Sequence, residues 1–176
     1  TQPPTKKNRG QKVHFSPVHI FSKENNIPVR HPIHINTNEE LEHIEKLKAD
    51  VVIVVAYGKI LPRSLLNLKN LKFINIHASL LPKWRGSAPI HRAIMNSDRE
   101  TGISIMKIIP KLDAGPVMMS SKIKIQKDAN YEKLSKQLSK MGSELIITSL
   151  KLLENKKEKF IEQNEKDATY AKKVSK

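Results

Sequence analysis

This sequence predicts an α/β domain with a mostly parallel sheet flanked by helices, on three observations. Val51-Val52-Ile53-Val54-Val55-Ala56 is a continuous, mainly β-branched run, the pattern of a strand buried on both faces beneath helices. Strand-like and helix-like segments alternate along the chain, as they do in layered α/β architectures. Residues 131–153 carry Leu134, Leu138, Met141, Leu145 and Leu152 on one stripe, which predicts a long helix with a single core-facing side.

Taken in order, residues 1–14 contain Pro3, Pro4 and Asn8-Arg9-Gly10 without apolar periodicity and read as a basic loop. Ser16-Pro17 is an N-cap followed by proline at the first helical position. The helix it opens stops before Asn25-Asn26 and Pro28. Residues 27–33 read as a short strand, weakened by Pro28 and Pro32. Thr37-Asn38-Glu39-Glu40 is a capping box, in which the Thr37 hydroxyl and the Glu40 carboxylate satisfy free amides. Leu41, Ile44 and Leu47 then share a helical face. The strand at 51–56 ends at Tyr57-Gly58. A short helix at 62–68, a strand at 72–77, a helix at 89–96 and strands at 102–109 and 117–125 lead to the long helix. Residues 154–176 are lysine-rich and weakly structured, with one short strand near Phe160-Ile161. No internal repeat or low-complexity segment interrupts the chain.

Composition narrows the function classes. A chain of 176 residues with 38% hydrophobic content can build one domain core and is not disordered by composition. Aromatic residues are only 5%, so the core rests on Ile, Leu and Val. With no cysteine, disulfides, thiolate zinc sites and a cysteine nucleophile are excluded, and a reducing cytoplasm is the expected setting. No apolar run reaches the roughly 20 residues of a membrane span, and no apolar segment follows the N-terminal charges as in a signal peptide. The chain starts at Thr1 rather than Met, which points to a truncated start. A net charge of +15 suits a partner rich in phosphate, and equally a solvated lysine-rich surface.

Ligands in sheets of this type bind beyond the C-terminal ends of strands, so the chemistry is sought after residues 56 and 76. No GxGxxG or Walker sequence is present, which leaves dinucleotide and P-loop readings without support. Asn75 and His77 are two apart in a strand and point to the same side. An amide donor beside an imidazole can converge on a developing oxyanion and exchange a proton near neutral pH; the plainer reading is two polar residues that finish a strand. Asp113, before Gly115-Pro116, could orient His77 and favour its charged form, or be an ordinary turn carboxylate. Trp84, the sole tryptophan, is either a lid on a small core or a ligand contact. His31 and His34 flank Pro32, and His14 and His19 lack a carboxylate partner at ligand spacing, so no metal site is expected. No Gly-x-Ser-x-Gly elbow supports a serine triad.

The run Asn75-Ile76-His77-Ala78-Ser79-Leu80-Leu81-Pro82-Lys83-Trp84-Arg85-Gly86-Ser87-Ala88-Pro89-Ile90 resembles the signature of the folate-dependent formyltransferases, and among them those acting on methionyl-tRNA. Val55-Ala56-Tyr57-Gly58-Lys59-Ile60-Leu61-Pro62, Asp113 and Gly115 extend the resemblance, and Thr1-Gln2-Pro3-Pro4, Arg9-Gly10 and Ala168-Thr169-Tyr170-Ala171 carry it to both ends. It implies a Rossmann-like catalytic domain spanning 1–176, with residues 1–14 as a basic inserted loop and 154–176 leading to a linker. It implies Asn75, His77 and Asp113 as catalytic residues, and Ser79, Leu80, Leu81 and Pro82 as the folate-contacting turn. Residues 57–61 would line the pteridine pocket. Lys6, Lys7, Arg9 and Lys12 would meet the tRNA acceptor end, with Arg9 at the key basic position. The expected co-substrate is 10-formyltetrahydrofolate, the expected partner initiator methionyl-tRNA, and the expected state a cytoplasmic monomer without metal or membrane. The family's first strand, helix and second strand and its C-terminal barrel have no counterpart here, so a fragment is expected. The loop at Thr5-Lys6-Lys7-Asn8 also departs from the Pro-Ala-Gly type sequence common in the family.

The resemblance implies direct acyl transfer. The methionyl amine attacks the formyl carbon, the Asn75 amide and charged His77 hold the oxyanion, and Asp113 keeps His77 charged while a proton passes to the leaving nitrogen. Two rivals stand beside it: a formyltransferase for another amine, such as an amino sugar nucleotide, and an inactive RNA-binding fragment. Trp84-Arg85-Gly86 and the basic loop favour tRNA over a small amine.

Overall fold

The computed structural model describes residues 1–7 and 12–174. The chain divides into two compact units, Thr1–Ala49 with Lys59–Leu68, and Asp50–Gly58 with Lys69–Lys176.

In the first unit the expected basic loop is instead a small antiparallel hairpin, β1 (Thr5–Lys7) with β2 (Lys12–His14), pairing Thr5 with His14 and Lys7 with Lys12. Helix α1 (Pro17–Glu24) starts as its sequence dictates: the Ser16 hydroxyl accepts the His19 N–H at 3.2 Å and proline occupies the first turn. It ends at Asn25, followed by Asn26 at φ 56°. The strand expected at 27–33 does not form, because Pro28 and Pro32 remove two of the donors a ladder needs. Helix α2 (Asn38–Lys46) is capped by Thr37, which accepts the Glu40 N–H. The other half of the capping box is diverted. The Glu40 carboxylate turns to Arg30, accepting from Nε at 3.1 Å and also from Nη2, and this charge-assisted pair outcompetes a neutral amide. Leu47 of the expected apolar face is 62% exposed. The one-turn helix α3 (Arg63–Leu66) completes this unit.

The second unit is built on a four-stranded sheet in the order β3 (Val51–Val55), β4 (Lys72–His77), β5 (Glu100–Lys107), β6 (Val117–Lys124). Only β3 and β4 run parallel; β4–β5 and β5–β6 are antiparallel. The sheet is therefore mixed rather than mostly parallel. After β4, helix α4 (Pro89–Met95) leads the chain back beside β4 in the opposite sense, and the 108–116 connection reverses it again. The doubly buried strand is also not the expected one. Residues 101–106 of β5 are all buried, whereas Ile53 and Val55 of β3 are 36% and 57% exposed. Among the described residues β3 pairs on one side only, so its β-branched run lies at a sheet edge.

Helix α5 (Tyr131–Glu154), capped by Asn130 accepting the Lys133 N–H at 2.9 Å, packs on β5 and β6. Its buried line is Leu134, Leu138, Gly142, Ile146 and Ser149, rotated slightly from the expected stripe so that Met141, Leu145 and Leu152 flank it half-buried. Gly142 lets the helix approach β4: a Cβ there would sit 3.1 Å from Ile76 Cγ2. Leu134, Leu138 and Ile146 meet Ile74, Ile103 and Ile105 in the core, each burial stabilising by about 1.5–3 kcal/mol.

The last stretch is more ordered than its composition predicts. The strand expected near Phe160-Ile161 is a single bridge, in which Ile161 and Val117 exchange two backbone hydrogen bonds of 2.8 and 2.9 Å. A 3-10 turn (Glu165–Asp167) follows, and residues 169–171 then lie along the loop after β4.

Candidate active site

β4 delivers Asn75 and His77 to one side of the sheet end, as strand alternation requires. His77 is buried, at 5% exposure. Its Nε2 lies 2.8 Å from the Trp84 carbonyl oxygen. A carbonyl only accepts, so Nε2 carries a proton and donates it there. Nδ1 faces Asp113 Oδ2 at 3.7 Å, which is ion-pair range but too long for a hydrogen bond. Asp113 Oδ2 in turn accepts the Gly86 N–H at 2.8 Å. The Asn75 side chain is half-buried and makes no hydrogen bond among the described residues. The structure thus brings together the three residues singled out from sequence: a buried imidazole with one nitrogen fixed, a carboxylate opposite the other, and an uncommitted amide on the same strand.

The loop after β4 is held from two directions. On the sheet side, the Ser104 hydroxyl of β5 donates to the Ser79 carbonyl at 2.8 Å and accepts the Leu81 N–H at 3.1 Å. Ser79 is fully buried and its hydroxyl donates to the Lys83 carbonyl, so that hydroxyl is already committed within the turn. Leu80 packs on Gly102, where a Cβ would fall 2.6 Å from Leu80 Cδ2 and 2.1 Å from the Ser121 carbonyl oxygen. Leu81 and Pro82 are half-buried and joined by a cis peptide. On the tail side, Trp84 N–H donates to Thr169 Oγ1 (2.9 Å), Arg85 N–H to the Thr169 carbonyl (2.9 Å), and Ala171 N–H to the Arg85 carbonyl (2.7 Å). Gly86, at φ +116°, lies so close to this tail that a Cβ would be 2.9 Å from the Ala171 oxygen.

Arg85 ties the loop to the tail through its side chain. It is fully buried, with Nη1 and Nη2 each 3.1 Å from the two Glu165 carboxylate oxygens, and Nε donating to Gln163 Oε1 at 3.0 Å. Burial alone would lower its pKa, but the Glu165 and Tyr170 contacts outweigh that and raise it. Hydrogen bonds from Arg85 and then Lys111 hold the Glu165 carboxyl down at about 2. Trp84 donates its indole N–H to Asp98 at 2.7 Å and lines a cavity of about 370 Å³ with Arg92, Met95, Asn96, Tyr170 and Lys172. That cavity does not include His77 or Asp113 in its lining.

Sequence reasoning missed Gln163, Glu165 and Ser104. Each acts on a partner 23 to 80 residues away, and no local pattern marks such a residue. Of the basic residues at the N-terminus, Arg9 lies outside the described residues, as do the side chains of Lys6, Lys7 and Lys12; the last three occupy β1 and β2. The 57–61 segment falls partly in each unit; Tyr57 is half-buried and Ile60 is 83% exposed.

The family model described as formyl transferase matches residues 1–150. The chain belongs to the formyl transferase family. It is 52% identical to methionyl-tRNA formyltransferase of Pelagibacter ubique over 177 residues, covering 100% of this chain and 57% of that protein. The corresponding protein of a Wolbachia species of Drosophila simulans is 46% identical, over 99% of this chain and 58% of its own length. The chain therefore spans a little over half the length of the curated relatives it matches. Among solved structures, HypX from Aquifex aeolicus in complex with tetrahydrofolic acid superposes with a TM-score of 0.68 at 21% identity, over 77% of this chain and 23% of that one. The shared fold is that of the formyltransferases, α/β and Rossmann-like. No described helix is long and apolar enough to cross a membrane.

Proposed function

We propose that this chain carries the formyl-transfer centre of an enzyme that moves the formyl group of 10-formyltetrahydrofolate to the amino group of initiator methionyl-tRNA. The observation that carries the reading is buried His77 facing Asp113, beside the uncommitted Asn75 amide, at a strand end, in a member of a formyl transferase family. Similarity along the whole chain to methionyl-tRNA formyltransferases supports the acceptor, and the charge of +15 supports a phosphate-rich partner.

The amine lone pair of the methionyl group forms the new C–N bond at the formyl carbon, and the carbonyl electrons move onto oxygen. The Asn75 amide and the Nδ1–H of charged His77 hold that oxyanion. Nδ1 serves because Nε2 is engaged by the Trp84 carbonyl. Asp113 stabilises the imidazolium and relays the amine proton to the folate nitrogen, through water, as the old C–N bond breaks. Formylmethionyl-tRNA and tetrahydrofolate leave, with no covalent enzyme intermediate and no step that needs a metal. The Ser79–Pro82 turn offers the half-buried Leu80, Leu81 and Pro82 to the folate. Lys6, Lys7, Arg9 and Lys12 hold acceptor-end phosphates. The enzyme works as a cytoplasmic monomer.

The test is transfer from 10-formyltetrahydrofolate by the full-length protein, offered charged initiator methionyl-tRNA or an amino sugar nucleotide. Transfer to the tRNA sustains the reading. Transfer to the sugar alone overturns the acceptor, and salt-steep RNA binding without transfer overturns the chemistry.

A further inference from the structure

One side chain outside the catalytic three touches both halves of the site. Gln163 Nε2 donates to the Asp113 carbonyl at 2.9 Å and to the Gly115 carbonyl at 2.7 Å, while its Oε1 accepts from Arg85 Nε at 3.0 Å. Two acceptors on one side and a donor-only guanidinium on the other permit one orientation of the amide. The Asp113 turn and the Arg85 loop are 27 or more residues apart in sequence. Gln163 joins the backbone of that turn to the Arg85 guanidinium through one amide. Each end of the tie is one step from the chemistry. Asp113 sits at φ 44°, a conformation costly for a non-glycine residue unless its surroundings impose it, and its carboxylate faces His77 Nδ1. Arg85 follows Trp84, whose carbonyl holds His77 Nε2, and precedes Gly86, whose N–H holds the Asp113 carboxylate.

We infer that Gln163 is a positioning residue: by bridging the Asp113–Gly115 turn to Arg85 it sets the Asp113 carboxylate against His77 Nδ1 and the Trp84 carbonyl against Nε2, and so fixes which imidazole nitrogen is presented to the reaction. Glu165, two residues on, joins Arg85 to the side chain of Lys111, the first residue of the Asp113 turn, but makes no hydrogen bond to the backbone of that turn or to His77. Of the two side chains, Gln163 is the one that grips the backbone carrying Asp113. For its kinetic arm the inference rests on the acyl-transfer reading above; its spectroscopic arm does not.

The experiment compares Gln163→Met, which keeps the shape and loses all three bonds, with Gln163→Glu, which keeps the acceptor for Arg85 and loses both donors. Both are made in the full-length protein. Imidazole 15N shifts of His77 report which nitrogen carries the proton. At a pH high enough to leave the imidazole neutral, the wild type is expected to show one tautomer, protonated at Nε2, and both variants a mixture. In formyl transfer both variants are expected to lose kcat by ~10–100-fold with KM for folate and tRNA held, since displacing a reacting group by about 1 Å can cost on the order of 100-fold. A His77 spectrum unchanged in a folded variant overturns the inference, whatever the activity. An unchanged kcat beside a mixed tautomer does so as well. A wild type that transfers no formyl group fails the functional reading instead and leaves the tautomer comparison to decide this one. If Gln163→Met does not fold, Gln163→Glu carries both measurements.

Discussion

Replacing Gly115 with alanine should damage the turn that carries Asp113, for a reason that can be worked from distances. A Cβ on Gly115 would lie 1.8 Å from the Lys107 carbonyl oxygen and 3.0 Å from the carbon that bears it. Ordinary carbon contacts are about 3.5–4.0 Å, so the turn and the end of β5 must part by well over an ångström, and both sides are backbone. Three hydrogen bonds bridge that gap or depend on it: Lys107 N–H to the Pro116 carbonyl at 2.9 Å, and the two from Gln163 to the Asp113 and Gly115 carbonyls. At about 1 kcal/mol net for each bond, Gly115→Ala should cost about 3 kcal/mol. In a chain of this size that lowers Tm by about 6–12 °C. Urea denaturation followed by far-UV circular dichroism measures the loss, and formyl transfer measures whether Asp113 has moved. A variant within about 0.5 kcal/mol of wild type, the scatter of neutral substitutions, and with full activity would refute the packing described for this turn.

Other substitutions test other links. Leu138→Ala empties a fully packed position between α5 and the sheet and should cost about 2–5 kcal/mol by denaturant titration, with activity retained below the transition. The Glu165 carboxyl is held at about 2 against an ordinary 4.5. Its folded pKa is depressed, so its contribution is complete above pH 4.5 and is lost as pH falls toward 2; in acid unfolding Glu165→Gln should show a shallower dependence in that window. Lys6→Ala, Lys7→Ala, Arg9→Ala and Lys12→Ala together should weaken tRNA binding and lower the slope of log K against log salt by up to about 0.9 per phosphate contact removed, whereas an unchanged slope would take the hairpin out of the tRNA interface.

What could be read ahead of the structure follows the range of the forces involved. Ser16, Thr37 and Asn130 each close a helix end through a neighbour three residues on, and the first two were legible as caps in the sequence. Asn75 and His77 share a side because alternation in a strand is local. Pairing direction was not legible, because the order β3-β4-β5-β6 depends on how the 78–99 and 108–116 connections return. Nor was the swap of burial between β3 and β5, since a β-branched run shows what a strand can bury and not what covers it. Glu40 obeyed the capping rule only until Arg30, ten residues before it, offered a charge. The tail was least legible of all. Gln163, Glu165, Thr169 and Ala171 show no periodicity, yet they decide where Trp84, Arg85 and Asp113 stand.

The most direct test of the central claim is single-turnover formyl transfer to charged initiator methionyl-tRNA by the full-length protein, wild type against His77→Ala, with tetrahydrofolate binding measured in parallel. Loss of one oxyanion donor costs about 100–1000-fold in rate, so the variant should bind folate as the wild type does and transfer at least about 100-fold more slowly. A variant that transfers within a few-fold of the wild type would contradict the assignment of the chemistry to this strand end.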